Sequence, residues 1–550
     1  MLGRKNEEPE QAGRRRFLKT GIAATAGLAV PEWLRGQTQS STTSFGGMNE
    51  ITLENLRQGL ASGKFTARHL AEHYLARIEA LDRKGPAVNS VIEVNPDALA
   101  IADDLDRERR AKGPRSPLHG IPVLIKDNIA TADRMQTTAG SLALVGSRPP
   151  KDSFVVSRLR NAGAVILGKT NCSEWANFRG RHSTSGWSGR GGQTRNPYSL
   201  DRNPSGSSSG AGVAAAANLC AVCVGTETDG SIVSPSSING LAGIKPTVGL
   251  VSRSGIIPIS HTQDTAGPMA RTIADAAALL GVLAGVDPDD PATEAASSHI
   301  ETDYTRFLDA NGIRGARLGV VRKYAGFNMH VDHVFEEALA ALKAAGAEII
   351  DPVEIASIEK LDEPENEVLH FEFKTDLNRY LAWLGASSPV HNLEEVIAFN
   401  QKNRARELPW FGQESMEKAQ AKGDLTSPEY QKALADCRRL SREEGIDAAM
   451  DKFRLDALIA PTDGPAWPTD PINGDHFSAG TSTLAAVAGY PHVTVPMGDV
   501  FSLPVGISFF GRAWSEPTLI KLAYSYEQAT KARKPPGFRP RVATPYYFSS

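Results

Sequence analysis

The chain runs to 550 residues, enough for a large core, and is 41% hydrophobic and 22% charged, ordinary values for a globular protein. Its net charge of −3 supplies no field that would draw in nucleic acid or hold a membrane surface. Four cysteines are too few for a disulfide scaffold. No H-E-x-x-H or grouped Cys/His spacing appears, so no metal or other cofactor is expected.

The first elements read as an address. Arg14-Arg15-Arg16-Phe17-Leu18-Lys19 fits the twin-arginine export pattern R-R-x-F-L-K. A weakly apolar stretch from Thr20 to Val30 follows, too short to span a membrane. A disordered basic tail is the plainer alternative, but the ordered Phe-Leu-Lys and the apolar run favour a signal. Residues 1–44 are therefore expected to be a signal peptide and linker. The mature protein would be periplasmic or secreted, with the export machinery as partner and no stable membrane anchor. Residues 45–550 are expected to form a single domain.

Beyond the leader, apolar Leu70, Tyr74, Ile78 and Leu81 recur at helical spacing, which predicts a helix over 51–82 with Thr66 as a plausible N-cap. A strand follows at 90–94. A second helix opens at Pro96 and closes at Gly113-Pro114. Ile121 to Ile125 reads as a buried strand, with Lys126 at its carboxyl end, where open α/β sheets place functional groups. Further elements are a helix over 154–162, a strand over 164–167 and a long polar loop over 172–203. An alanine-rich helix over 211–219 and a strand over 222–225 come next. This alternation argues for an α/β protein with much parallel pairing. Residues 285–440 change character, with charged helices such as 331–345 and a strand at 348–350, and about 300–440 is expected to form a helical cover. Strand signals return at 457–461, 492–496 and 503–509.

The chemistry concentrates in three segments. Lys126 ends the apolar run Val123-Leu124-Ile125. A lysine there is usually solvated or paired with an acid, such as its neighbour Asp127. Burial would instead lower its pKa and leave a neutral amine available as a base. Gly206-Ser207-Ser208-Ser209-Gly210 matches G-x-S-x-G, but no strand precedes it, so it is not a nucleophile elbow. It also lacks the G-x-x-x-x-G-K-[ST] pattern of a phosphate loop. In contrast, Gly225-Thr226-Glu227-Thr228-Asp229-Gly230-Ser231 lies just past a predicted strand. Successive backbone N–H groups on such a turn can converge on one point, as an oxyanion hole requires.

These segments resemble the amidase signature family. Ser207 and Ser231 are separated by 24 residues, the interval between the family's two serines, and Lys126 lies upstream as its lysine does. Leu118-His119-Gly120-Ile121-Pro122-Val123, Gly168-Lys169-Thr170-Asn171, Asp264-Thr265-Ala266-Gly267-Pro268-Met269-Ala270-Arg271 and Ala488-Gly489-Tyr490-Pro491 are also family-like. The likeness covers about residues 50–530, with 300–440 the least characteristic. It implies the amidase-signature fold: a large mixed, mostly parallel β-sheet flanked by helices. It also implies that Ser231 is the nucleophile, Ser207 the bridging serine and Lys126 the base. Ser208 would support the network. The backbone of Thr228, Asp229, Gly230 and Ser231 would form the oxyanion hole.

The chain departs from the family pattern at Ser205, Ser209 and Ala211, where glycine is usual, and at Asp229. Val233 stands where many relatives carry a substrate-binding arginine, which argues against acidic amino-acid amides and the transfer-RNA-dependent branch. The wording Gly225 to Val233 is similar to the peptide amidase branch, so the expected substrate is a peptide amide or another small linear amide. A broad acylamide or ester hydrolase with the same triad is the alternative. A silent binding protein is disfavoured because Lys126, Ser207 and Ser231 are all present. Cys220 and Cys223 form a C-x-x-C pair in an apolar run and read as core residues rather than a redox pair. His119 reads as structural. Trp175, Trp187 and Trp467 suit either a pocket wall or core.

Overall fold

In the computed structural model, which describes residues 47–542, eleven strands form one sheet. The strands in chain order are β1 (Val91–Val94), β2 (Pro122–Lys126), β3 (Val165–Thr170), β4 (Trp187–Ser188), β5 (Gly192–Gln193), β6 (Val222–Glu227) and β7 (Ala242–Lys245). They continue with β8 (Thr265–Ala270), β9 (Arg317–Val320), β10 (Glu348–Ile350), β11 (Ala457–Pro461), β12 (His492–Val500) and β13 (Leu503–Phe510). The sheet order is β1-β3-β2-β6-β8-β7-β12-β13-β11-β9-β10, while β4 and β5 pair separately. Most central strands are buried along their whole length. Their near-continuous apolar runs follow from helices covering both faces.

Parallel pairing occupies two runs, β3-β2-β6 and β11-β9-β10. The junctions between them, and the β1 edge, are antiparallel. The expected mixed sheet is thus present, with parallel pairs in the minority among its junctions. One of these antiparallel junctions has a local cause. Only Phe501 and Ser502 join β12 to β13, with φ of 52° and 67°. A two-residue hairpin of that hand can only send the chain back antiparallel.

Local differences from expectation also have physical reasons. The helix expected over 51–82 is split into Leu53–Ala61 and Ala67–Arg77. Gly63 has φ of 74° between them. Thr66 caps the second piece by accepting the His69 N–H at 3.0 Å. The 300–440 segment is divided: β9 and β10 join the sheet, and the long cover helix begins at Asp362 and runs to Leu384. From residue 47 onward the chain is one compact unit. The expected leader at 1–44 lies outside the described residues. Among the described residues, no helix is long and apolar enough to cross a membrane.

Candidate active site

Strand β2 lies between its parallel neighbours β3 and β6, so its last residue, Lys126, emerges at their shared carboxyl end. The side chain is fully buried. Its Nζ donates to Ser207 Oγ at 2.7 Å, to Thr226 Oγ1 at 2.9 Å and to the Thr226 carbonyl at 3.3 Å. These three acceptors match the three N–H bonds of an ammonium. When the amine is neutral, Thr226 can take both remaining N–H bonds and the lone pair is left facing the Ser207 hydroxyl. Desolvation lowers the Lys126 pKa to about 8, although Cys172, Asp264 and Glu227 pull it upward. The neighbouring Asp127 does not neutralise it. Asp127 turns to Arg190, 3.2 Å away, and accepts from Thr138 Oγ1 and the Gly140 N–H.

The first serine loop enters the helix Ser209–Ala216, and its Gly206–Ser207 peptide is cis. Ser207 and Ser208 are fully buried. Ser208 Oγ donates to the Thr226 carbonyl at 2.9 Å and accepts the Thr226 N–H at 3.1 Å, so it clamps the residue that also holds Lys126. The Ser208 N–H donates to the Ser231 carbonyl at 3.3 Å, which ties the two serine loops directly together.

The second loop leaves β6 and enters the helix Val233–Ile238. Ser231 is 8% exposed, against none for Lys126 and Ser207. Glu227, buried at the end of β6, accepts the N–H groups of Ile232 and Val233 at 2.7 and 2.9 Å. That pins the chain just after the nucleophile candidate. The left-handed backbone required by the turn falls on Gly230, with φ of 78°, and not on Asp229. Aspartate is therefore tolerated where the family pattern has glycine. Thr228 Oγ1 donates to Asp264 at 2.5 Å, and Asp264 also accepts the N–H groups of Ile259 and Ser260.

A cavity of about 790 Å³ lies beside the site, and Gln263 and Asp264, both bonded to Thr228, form part of its wall. Its wall is part apolar, with Ile256, Pro258, Val368, Tyr380 and Trp383, and part polar, with Arg253, His261 and Asp376. His261 lies 2.8 Å from Asp376 and 3.4 Å from Glu372. Burial pulls its pKa down, but these two carboxylates outweigh burial and raise it. His261, Glu372 and Asp376 bring ligand-type atoms within 4.8 Å of one another. Those atoms are bonded among themselves and to Ser260, Thr262 and Tyr430.

Lys126, Ser207, Ser208 and the 228–231 turn are thus brought together as the sequence led us to expect. Sequence reasoning missed Thr226, which serves both Lys126 and Ser208, and Asn128, which donates to Thr226 Oγ1 at 3.0 Å. It also missed Arg190 and Gln263, and gave no role to Asp264 although that residue opens a family-like segment. Thr226 stands inside the quoted Gly-Thr motif, and that was the available signal. His119 is structural: its ring bonds the Arg115 N–H and the Leu105 carbonyl. Cys220 and Cys223 are free and buried, 3.1 Å apart. Trp175 is core. Trp187 stacks edge-on with Phe411, and Trp467 donates to Asp475 at 3.1 Å.

This geometry has close counterparts. A probable amidase from Arabidopsis thaliana is 44% identical over 508 residues, covering 91% of this chain and 93% of its own. The crystal structure of native peptide amidase from Stenotrophomonas maltophilia is 52% identical with a TM-score of 0.85, covering 90% of this chain and 99% of that one. A peptide amidase in complex with the competitive inhibitor chymostatin is 53% identical with a TM-score of 0.86, covering 90% and 100%. The family model Amidase matches residues 69–520, and with it the chain belongs to the Amidase family.

Proposed function

We propose that the chain is an exported amidase that releases ammonia from C-terminal peptide amides through Ser231, Ser207 and Lys126. The Ser231 hydroxyl attacks the carboxamide carbon, and its proton passes to Ser207 Oγ as Ser207 passes its own to the Lys126 amine. N–H groups of the 228–231 turn hold the developing oxyanion. The proton returns through Ser207 to the leaving nitrogen, the C–N bond breaks and ammonia departs. Water then hydrolyses the Ser231 ester by the same relay. The observation that carries this reading is the fully buried Lys126, its Nζ 2.7 Å from Ser207 Oγ and its pKa drawn down to about 8 by desolvation.

The peptide amide substrate is supported by similarity to the peptide amidases. It is tested by ammonia release from a C-terminal peptide amide, an aryl amide and an ester, each beside Ser231→Ala. Release from the peptide amide, lost in the variant, is expected. Activity on the aryl amide or ester alone would replace the substrate reading with a broad acyl hydrolase, and silence on all three would favour a binding role. Export rests on Arg14-Arg15-Arg16-Phe17-Leu18-Lys19. A doubled Arg14→Lys, Arg15→Lys leader should keep the protein in the cytoplasm, and unchanged export would remove the twin-arginine assignment.

A further inference from the structure

The loop between β7 and β8 ends in four residues, Ser260 to Gln263, that each bond a buried carboxylate of the cover helix Asp362–Leu384. Glu372 Oε2 accepts the Ser260 hydroxyl, the Thr262 N–H at 3.1 Å and the Thr262 hydroxyl at 3.0 Å. Asp376 Oδ2 accepts the His261 N–H at 3.0 Å and lies 2.8 Å from His261 Nδ1. Glu365 Oε1 accepts from Gln263 Nε2 at 2.8 Å. Glu365, Glu372 and Asp376 are seven and four residues apart, so they share one face of the helix.

A fourth acid, Asp264, closes this loop on itself and ties it to the nucleophile turn. Its Oδ2 accepts the N–H groups of Ile259 and Ser260 at 2.8 and 2.9 Å, and its own N–H donates to the Ser260 carbonyl at 2.8 Å. Residues 259–264 are thus cross-linked into one piece. Asp264 Oδ1 accepts the Thr228 hydroxyl at 2.5 Å, and Gln263 Nε2 also faces the Thr228 carbonyl at 3.4 Å. That carbonyl shares a planar peptide with the Asp229 N–H, so fixing one fixes the direction of the other. From Glu372 through Ser260 and Asp264 to Thr228 every link joins buried residues, where hydrogen bonds are stronger than in water.

We propose that Glu372 is a positioning residue for amide hydrolysis: through the 259–264 loop it holds the 228–231 turn where its N–H groups meet the oxyanion. The proposal rests on Ser231 being the nucleophile. Glu372 Oε1 accepts the Tyr430 hydroxyl at 2.6 Å, so a second cover helix, Pro428–Arg438, steadies the carboxylate from its other side. The cover is then part of the machinery that aims the oxyanion donors as well as a roof. Such donors act only when directed at the point where charge develops, and a shift of about 1 Å can cost about 100-fold in rate.

The test is a double-mutant cycle between Glu372→Ala and Thr228→Val on a C-terminal peptide amide, with Glu372→Gln as the conservative variant. Glu372→Gln keeps a carbonyl oxygen for Ser260 and Thr262 and turns its NH₂ to the Tyr430 oxygen, so kcat should stay within about threefold of wild type. Glu372→Ala and Thr228→Val should each lower kcat about 10- to 100-fold with little change in KM. The double variant should be within about threefold of the slower single, because both substitutions break one chain. A peptide aldehyde, whose adduct with Ser231 sets an oxyanion on the same turn, should bind more weakly in proportion to the lost kcat. Wild-type kcat in Glu372→Ala, a loss confined to KM, an equal loss in Glu372→Gln, or losses that multiply in the double variant would overturn the proposal. If Glu372→Ala does not fold, Ser260→Ala with Thr262→Val replaces it in the cycle and removes the two hydroxyls that Glu372 accepts. If wild type hydrolyses no amide, the functional reading fails, and hydrogen–deuterium exchange over residues 226–234 decides the coupling. Faster exchange there in Glu372→Ala, or in its replacement, supports the link to the turn, and unchanged exchange overturns it.

Discussion

A buried lysine serves as a base only while it is neutral, and Lys126 reaches that state near pH 8 because desolvation outweighs its acidic neighbours. Its contribution to rate should therefore rise with pH through about 8 and flatten once the amine is neutral. Lys126→Ala should lower kcat by about 1,000-fold or more, because a relay without its base stalls at both the acylation and the deacylation step. Near wild-type kcat in that variant would end the Ser-Ser-Lys mechanism. Thr226→Val is a finer probe. It removes the hydroxyl that accepts from Nζ at 2.9 Å, which stabilises the ammonium more than the amine. The rising limb of the pH profile should move to lower pH, with kcat down about 10-fold from lost alignment. A limb that moves to higher pH would show that Thr226 does not support the charged form. The three residues of the relay were legible because the serine spacing and the lysine at a strand end are local patterns. Thr226 and Gln263 were not, since they act only through partners 18 to 102 positions away.

The working element is the turn from β6 to the helix Val233–Ile238, and it is held at both ends. Glu227 accepts two N–H groups beyond Ser231, and Ser208 donates to the Ser231 carbonyl. Gly230 lies between them with φ of 78°, where an added Cβ would come 3.0 Å from Ser482 Oγ. Gly230→Ala should cost about 1–2 kcal/mol of stability through left-handed strain. It should also lower kcat more than it raises KM, because the oxyanion donors shift while the cavity does not. A pure KM effect would place the turn in binding rather than catalysis. Elements rich in β-branched residues, such as β2, β3 and β6, were readable along the chain. Strands β7 and β8, Ala-Gly-Ile-Lys and Thr-Ala-Gly-Pro-Met-Ala, were not. They are strands because neighbours on both sides satisfy their backbones, a condition that no local propensity records. The cover helices were visible by pattern, but their attachment was not. Arg179, fully buried, joins Glu174 and the carbonyl of Glu407 from that cover.

Across the whole molecule, the burial that creates the base has a consequence for stability. Lys126, Lys169 and Lys245 are all fully buried and all drawn down to about 8 by desolvation. Each favours the folded state fully above its unfolded pKa of about 10.4, and that contribution is lost as pH falls through 8. Three buried carboxyls act in the opposite direction. Burial pushes Asp463 and Glu527 up to about 7 and Glu407 up to about 8. Their contribution is full below the unfolded carboxyl pKa of about 4 and is lost as pH rises through 7 to 8. The two losses overlap, so the melting temperature should pass through a minimum near pH 8, the region where Lys126 becomes an active base. Lys169 stands apart from the relay, bonded to Ile129 O and Thr137 Oγ1. Lys169→Met should therefore flatten the rise of Tm above pH 8 without removing the carboxyl-driven fall below it. A wild-type Tm that climbs or falls steadily from about pH 5 to pH 10 would mean that the buried lysines and carboxyls neutralise one another as ion pairs. In that case Lys126 would stay charged well above pH 8, and its basicity would have to come from substrate binding instead of from the fold.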